Sequence, residues 1–224
     1  VAEQSGLNTE ITDWVLRTAV QAAALWQSGP WPMARVAVNV SAQQFLSSNF
    51  VDRLGGLLEQ HGLPPECLEI ELTENVLQTG ATTIVALHRL RELGVSIALD
   101  DFGTGYSSLT SLERLPLTRV KIDRSLIASI DQGKRSPSIV RSIIGLCHSL
   151  GLQVTAEGVE RHSQLGVLLT DRGVQVQGFL VSRPISASTV PLFLSSARTH
   201  LETLASNSPV PEDLDTSSRL RNAS

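Results

Sequence analysis

The sequence predicts an α/β fold built on a parallel sheet, and three observations support this prediction. From residue 9 to about residue 195, segments with apolar residues at helical spacing alternate with short apolar segments typical of strands. Such strict alternation is typical of parallel strands joined by crossover helices. The chain has 224 residues, of which 42% are hydrophobic, so it is long enough to bury the core of a large sheet or barrel.

Six strands and six helices are predicted in this alternation. The predicted strands cover 36–40, 68–72, 95–100, 119–123, 153–157 and 174–179. The predicted helices cover about 9–26, 50–62, 84–93, 109–112, 139–150 and 165–169. No Gly-x-Gly-x-x-Gly motif follows the first strand, so nothing favours a dinucleotide-binding sheet. An open doubly wound sheet and a closed barrel both remain compatible with the strand pattern.

Composition and charge exclude several classes of protein. The formal net charge is −4, from 18 basic and 22 acidic residues, and there is no block of Lys and Arg. The sequence therefore lacks the positive surface that binding to a nucleic acid polymer requires. No apolar run approaches 18 residues, so no membrane span is predicted. Cys67 and Cys147 lack metal-binding spacing, which fits a reduced, intracellular setting.

A change of composition near residue 206 predicts the domain boundary. From there to residue 224 the chain is rich in Ser, Asn, Pro, Asp and Thr, which is typical of a disordered tail or a linker. We therefore predict one folded domain over residues 1–205 and a tail over 206–224.

Polar residues stand at the carboxyl end of each predicted strand. They are Asn39, Glu71, Asp100 with Asp101, Lys121, Glu157 and Gln177. In a parallel barrel these ends share one face, which carries the active site. One carboxylate at a strand end is commonly a helix cap or an ion-pair partner, but a full set in register is hard to explain in that way. Five oxygen donors suit Mg²⁺ or Mn²⁺, and adjacent aspartates can hold two ions that clamp a phosphoester.

Several motifs resemble those of the EAL domain family, which hydrolyses the bacterial second messenger cyclic di-GMP. The most specific is Asp100-Asp101-Phe102-Gly103-Thr104-Gly105-Tyr106-Ser107-Ser108-Leu109. The others are Val38-Asn39-Val40-Ser41-Ala42, Glu71-Leu72-Thr73-Glu74, Lys121-Ile122-Asp123-Arg124, Ala156-Glu157-Gly158-Val159-Glu160 and Gln177-Gly178-Phe179. The six occur in the family's order between residue 2 and about residue 185.

The resemblance implies a role for each motif residue. Asn39, Glu71 and Asp100 resemble ligands of a first Mg²⁺ or Mn²⁺ ion, and Asp100, Asp101 and Glu157 those of a second. Lys121 resembles the residue that positions the attacking water, Glu157 also resembles a general base, and Gln177 a group that contacts substrate or water. Glu74 resembles a glutamate that braces the loop Phe102–Ser108 and so links metal binding to dimerisation. The implied reaction gives linear pGpG, and the implied fold is a modified (β/α)8 barrel of the triosephosphate isomerase type.

The sequence also departs from the family pattern. The tripeptide Glu-Ala-Leu is absent, and the resemblance places its strand before Val1. We therefore expect about six of the eight barrel strands here, one glutamate ligand fewer, and little or no phosphodiesterase activity from this chain by itself. Arg172 and Val174 stand where the family often has glycine and aspartate, which is expected to loosen the loop before Gln177.

Partners and competing functions follow from the same resemblance. It implies binding of cyclic di-GMP, a homodimer, and fusion to upstream regulatory or GGDEF-type domains. It further implies a cytoplasmic location in bacteria, either free or as the cytoplasmic part of a membrane-anchored protein. A domain that binds cyclic di-GMP or a protein without catalysis is the main alternative. An aldolase-type Schiff base at Lys121 is disfavoured, because that chemistry needs a desolvated lysine without five oxygen donors around it.

Overall fold

The chain divides into two compact units, which are described separately below. The computed structural model describes residues 7–29, 35–45, 47, 49–74, 80–104, 109–133, 135–171 and 173–208. The first unit is Val1–Arg119 and the second is Val120–Ser224. Within the described residues there are six strands; the first three are neighbours in chain order in the first unit, and the last two are neighbours in the second. The predicted α/β class with a parallel sheet is confirmed.

The strands lie close to their predicted positions. They are β1 (Val36–Asn39), β2 (Leu68–Thr73), β3 (Ser96–Phe102), β4 (Arg119–Ile122), β5 (Gln153–Ala156) and β6 (Val174–Val176). A short 3₁₀ turn, Pro65–Cys67, leads into β2. The polar residues at the strand ends therefore lie within the last three residues of a strand or directly after it.

The helices include three that the sequence pattern did not predict. The helices are α1 (Leu7–Gln27), α2 (Ala42–Phe45), α3 (Phe50–His61), α4 (Gly80–Leu93), α5 (Leu109–Arg114), α6 (Arg124–Ile127), α7 (Arg135–Ser149), α8 (His162–Leu168) and α9 (Val190–Ser206). The pattern missed α2 and α6 because four residues make about one turn and show no periodicity. Helix α9 was missed because it buries little: of its residues, only Leu204 is buried.

In the first unit, parallel strands form the centre of the core. Val36 lies opposite Leu68 in the β1–β2 pair, and Glu69 lies opposite Ser96 in the β2–β3 pair. Helices α1 and α4 pack against β1 and β3 and also contact α3. Burying such strand and helix side chains contributes about 1.5–3 kcal/mol for each large apolar residue. The fully buried members include Val20, Phe45, Leu68, Ile70, Leu87, Leu90 and Ile97.

Helix α1 departs from its predicted burial. The periodicity of its apolar residues places Ile11 and Trp14 on the buried face, but they are 52% and 66% exposed. Leu16 and Val20 are the residues of this helix that enter the core. The apolar positions of α1 therefore cover more than one face, and the pattern could not select the buried one.

A buried ion pair in the first unit joins Arg119 to Glu69 of β2. The Arg119 Nε donates to Glu69 Oε2 over 2.9 Å, and both side chains are more than 90% buried. The pair has good geometry, which buried charges need because desolvation costs several kcal/mol for each ion. Glu69 and Glu71 are two residues apart on β2 and so share one face of the sheet.

The second unit has its own apolar core around β5. Helix α7 packs against β5, α6 contacts α7, and α8 contacts α9. Val154 lies opposite Val174 in the parallel β5–β6 pair. The buried apolar residues of this unit include Ile122, Ile127, Val140, Ile144, Cys147, Val154, Leu165 and Leu168.

The described part of the chain contains no helix that is both long enough and apolar enough to cross a membrane. The predicted domain boundary falls at the end of α9, which runs to Ser206. The part of the predicted tail from residue 209 onward lies outside the described residues.

Candidate functional site

In the first unit, the ends of β1 and β2 bring Asn39 and Glu71 together. The two residues lie opposite each other in the parallel register. The Asn39 Nδ2 donates to Glu71 Oε2 over 3.1 Å. Glu71 is 6% exposed. An amide oxygen and a carboxylate at this spacing are donors that a hard divalent cation prefers.

The next strand contributes two adjacent aspartates. Asp100 is 8% exposed, whereas Asp101 is exposed. One carboxylate oxygen of each lies within 4.8 Å of the other, so a single ion can contact both. Thr73, near the end of β2, lies opposite Asp100 in the β2–β3 register. The end of β3 therefore carries an acidic group that could hold a metal ion.

The backbone at Asp101 is strained. Its φ is +56°, the one positive φ at a non-glycine residue in the described part of the chain. The left-handed conformation costs an L-residue about 1–2 kcal/mol, although Asp and Asn adopt it more readily than most. The Asp101 amide donates to Asp100 Oδ1 over 3.1 Å, which supports this turn. Strain of this kind is concentrated at functional sites, where the surrounding structure maintains it.

Glu74 lies directly after β2 and contacts the segment that follows Asp101. The Gly103 amide donates to Glu74 Oε1 over 3.2 Å. The Thr104 hydroxyl and amide both donate to the Asp101 carbonyl, so a turn forms here. Residues 105–108 of the loop that Glu74 is expected to brace lie outside the described residues.

In the second unit, Lys121 and Glu157 form an ion pair. The Lys121 Nζ lies 2.7 Å from Glu157 Oε1, and the lysine side chain is only 4% exposed. Glu157 follows β5 directly, and its amide donates to the Ile122 carbonyl over 3.1 Å. Both the backbone and the side chain of Glu157 are therefore tied to β4. A buried ammonium next to a carboxylate can hold a water molecule or a phosphoryl oxygen and help to move a proton.

Gln177 lies directly after β6, with its side chain exposed. Its amide donates to the Ala156 carbonyl, and its carbonyl accepts from the Val159 amide. The backbone at Gln177 is thus fixed to both sides of Glu157, while the side chain faces solvent. Of the two departures noted before Gln177, Val174 is the first residue of β6, and Arg172 lies outside the described residues.

One buried polar residue near this site was missed in the sequence. Gln164 is 1% exposed, and its Oε1 accepts from the amides of Glu160 and Arg161. Its Nε2 donates to the Ile127 carbonyl over 3.1 Å. A glutamine three residues after the N-cap of a helix is half of a capping box, so the sequence did contain a signal.

Two aspartates of the second unit have lowered pKa values. Arg161 forms a two-pronged hydrogen bond with Asp131, and this bond, helped by the Ser163 hydroxyl, lowers the Asp131 pKa despite partial burial. Desolvation acts to raise the pKa of Asp123, but the hydrogen bonds from Ser125 and the backbone together outweigh it and lower the pKa. Asp123 is the N-cap of α6, where its side chain accepts from the Ser125 amide.

Comparison with known proteins gives the family. Residues 1–184 match the EAL domain. A curated relative is the cyclic di-GMP phosphodiesterase NbdA of Pseudomonas aeruginosa, which is 43% identical over 199 residues. That match covers 88% of this chain and 25% of NbdA, so the chain spans about a quarter of the length of such relatives.

Solved structures with the same fold include two EAL proteins. The phosphodiesterase PaMucR, in complex with cyclic di-GMP, has a TM-score of 0.79 and 39% identity, and the match covers 84% of this chain and 77% of that one. The EAL domain of Mycobacterium smegmatis DcpA has a TM-score of 0.80 and 38% identity, with 84% and 85% covered.

Proposed function

Because the chain belongs to the EAL domain family, we propose that it hydrolyses cyclic di-GMP to linear pGpG with the help of Mg²⁺ or Mn²⁺. The relative named above as a cyclic di-GMP phosphodiesterase, NbdA, and the solved PaMucR complex with cyclic di-GMP support this proposal. The catalytic domain is proposed to cover residues 1–205, with a tail from 206 to 224.

The donor set fits hard divalent cations. We propose that Asn39, Glu71 and Asp100 hold one ion, and that Asp100, Asp101 and Glu157 hold a second. The donors are carboxylate and amide oxygens with no sulfur or imidazole, which suits Mg²⁺ or Mn²⁺. When bound, such ions supply charge stabilisation at the phosphoryl group and a lower pKa for water.

The remaining roles fall to four side chains. Lys121 donates hydrogen bonds that hold the attacking water and the phosphoryl oxygens in place. Glu157 accepts the proton that this water loses, since its Oε1 already lies 2.7 Å from the lysine nitrogen. Gln177 contacts the substrate with an exposed amide on a backbone fixed by two hydrogen bonds. Glu74 braces the turn after Asp101 through Gly103.

The observation that carries the proposal is the aspartate pair at the end of β3. Asp100 and Asp101 place oxygens within 4.8 Å of each other, and Asp101 does so in a left-handed backbone conformation. An aspartate that only caps a helix needs neither a second aspartate beside it nor a left-handed backbone conformation. The pair is therefore best explained as a cation site.

Other properties of the protein are proposed on family grounds alone. They are a homodimer, fusion to upstream regulatory or GGDEF-type domains, and a cytoplasmic location. Sedimentation at high concentration tests the dimer, and a monomer under all conditions would contradict it.

The test is turnover of cyclic di-GMP with Mg²⁺ or Mn²⁺, with pGpG measured by chromatography. It compares the purified chain, from which little activity is expected, with one extended upstream by a Glu-Ala-Leu strand. EDTA should abolish hydrolysis, and hydrolysis at full rate in EDTA would contradict the metal assignment. Affinity for cyclic di-GMP is measured in parallel. For the extended chain, tight binding without turnover would overturn the enzyme proposal in favour of a receptor, and absence of both would overturn it altogether.

The sequence offers a matched control, because it contains only two lysines, Lys121 and Lys134. Lys121→Met keeps a similar chain length but removes the ammonium, and should lower kcat by about 10²-fold or more. Lys134→Met should leave kcat unchanged. Equal effects of the two substitutions would remove Lys121 from the proposed mechanism.

A further inference from the structure

The segment that carries Glu157 lies between two other parts of the second unit. We call residues Glu157–Arg161 the β5 segment. Its first residue is bonded to β4 through the Ile122 carbonyl and through Lys121. The position of the Glu157 carboxylate therefore depends on how the rest of the segment is held.

Gln164 fixes the far end of the β5 segment. Its Oε1 accepts from the Glu160 amide over 2.8 Å and from the Arg161 amide over 2.9 Å. Its Nε2 donates to the Ile127 carbonyl at the end of α6. The side chain thus joins the segment after Glu157 to the helix that begins three residues after Lys121.

A close backbone approach reinforces this connection. Gly158 has φ +67°, and a Cβ placed on it would lie 2.5 Å from the Arg124 Cβ. The β5 segment therefore packs directly on the first residue of α6. Gln164 lies at the other end of the same contact, where Ile127 ends that helix.

The opposite side of the β5 segment contacts the chain after β6. The Val159 amide donates to the Gln177 carbonyl, and the Leu180 amide donates to the Val159 carbonyl. A Cβ on Gly178 would overlap the Val159 backbone. Loss of the Gln164 bonds would therefore weaken the hold on the α6 side, where the Gly158–Arg124 contact remains, and leave the bonds on the β6 side unchanged.

We propose that Gln164 is a positioning residue, which acts through the β5 segment to keep the Glu157 carboxylate on the Lys121 ammonium. This inference rests on the proposed function, because it matters for catalysis only if Glu157 and Lys121 act there. Gln164 is not among the proposed metal ligands or substrate contacts. The Gln164 amide is buried and makes three hydrogen bonds. An apolar side chain would fill the same buried position, so these hydrogen bonds are what requires a glutamine there.

The test compares Gln164→Leu with a control at the other end of α8. Thr170 lies just beyond that helix, and its hydroxyl also makes three hydrogen bonds, with Arg141, Val167 and Asp171. Thr170→Val removes these three bonds far along the chain from Glu157. Both variants are assayed at a temperature where circular dichroism shows them fully folded.

Gln164→Leu should lower kcat by about 10- to 100-fold with KM changed little, because a displacement of about 1 Å in a catalytic group costs on that order. Thr170→Val should keep kcat within about twofold of the wild type. Gln164→Glu retains the acceptor oxygen and should recover part of the loss. Equal kcat values for Gln164→Leu and Thr170→Val would overturn the inference.

A second measurement does not depend on activity. Lysine labelled with ¹⁵N gives signals from only two side chains, and Lys134→Arg assigns them. In metal-free protein the paired Lys121 ammonium should give a signal protected from exchange, which Gln164→Leu weakens and Thr170→Val preserves. An unprotected Lys121 in the wild type, or a protected one in Gln164→Leu, would overturn the inference. If the wild type instead lacks turnover but shows this NMR pattern, the proposed function fails and the positioning role stands.

Discussion

Two segments at the carboxyl ends of strands carry carboxylates of the proposed site, and they are held by different means. In the β3 segment, residues Asp100–Thr104, the left-handed backbone falls on the carboxylate residue itself, at Asp101. In the β5 segment it falls on Gly158, next to Glu157. Glu74 contacts the first segment at its exposed surface, whereas the buried Gln164 contacts the second.

The difference indicates which property of each segment the proposed activity depends on. At Asp101, the residue must combine a carboxylate with tolerance of positive φ, and aspartate is one of few residues that do both. In the β5 segment the positive φ falls on the next residue, Gly158, so Glu157 itself does not adopt the left-handed conformation. We therefore expect charge to be the sensitive property of the β3 segment and packing to be that of the β5 segment.

The largest expected effect is that of Asp101→Asn. Asparagine tolerates the left-handed backbone, so the shape is kept and one negative charge is lost. We expect turnover of cyclic di-GMP to fall by ~10²-fold or more, with equilibrium affinity largely kept. Asp171→Asn, remote in sequence from the β3 segment, is the control. Near-normal turnover of Asp101→Asn would show that the residue is not a ligand.

The next effect concerns packing in the β5 segment. Gly158→Ala places a methyl group against Arg124, whereas Gly151→Ala meets open space at a similar φ of +73°. Each should lose about 1 kcal/mol from backbone strain, and Gly158→Ala about 1–3 kcal/mol more from overpacking. Chemical denaturation measures the free energy of unfolding of both. Equal losses would mean that the contact with Arg124 relaxes without cost.

A smaller effect is expected from Glu74→Ala. It removes the acceptor for the Gly103 amide without touching a proposed metal ligand. A hydrogen bond to a charged group contributes about 1.5 kcal/mol, which corresponds to about tenfold in kcat. Glu66→Ala, in the turn that precedes β2 at its other end, should leave kcat unchanged. An unchanged kcat for Glu74→Ala would mean that the β3 segment holds its shape without this contact.

The smallest effect is a pH dependence of stability at Asp131. Because the pKa of this carboxyl is lowered in the folded state, its stabilising contribution is present at neutral pH. It is lost as the pH falls below the ordinary value of about 3.9 and through the lowered one. Asp131→Asn should therefore have a lower Tm than the wild type at pH 7, with the gap closing under acid conditions. A gap that does not change with pH would assign the effect to hydrogen bonding alone.

Much of the fold could be predicted from the sequence because the strands are buried. Runs such as Leu68–Leu72 and Val95–Asp100 combine apolar residues with a polar residue at the carboxyl end, and the structure has strands at both. Helices whose stability depends little on apolar burial could not be predicted in this way. Helix α9 is one example, since its face toward the rest of the second unit buries only Leu204.

The candidate site divides along the same line. Residues at the ends of predicted strands could be named, because that position is a property of the local sequence; they are Asn39, Glu71, Asp100, Lys121 and Glu157. Their roles stay proposals. Gln164 was not named, because its capping-box position indicates only the start of a helix, whereas its proposed role depends on hydrogen bonds to residues 127, 160 and 161. Such contacts exist only once helix and strand segments have packed together.

The order of the strands has a consequence for how the chain acquires its structure during synthesis. Within each unit the paired strands are consecutive in the chain: Val36 meets Leu68 after 32 residues, and Val154 meets Val174 after 20. Closing loops of such similar length costs nearly the same entropy each time, since the cost rises only with the logarithm of length. The pairs β1–β2 and β2–β3 need nothing that is synthesised after Phe102. The three strands of the first unit can therefore pair one after another during synthesis, each new strand pairing with the one before it.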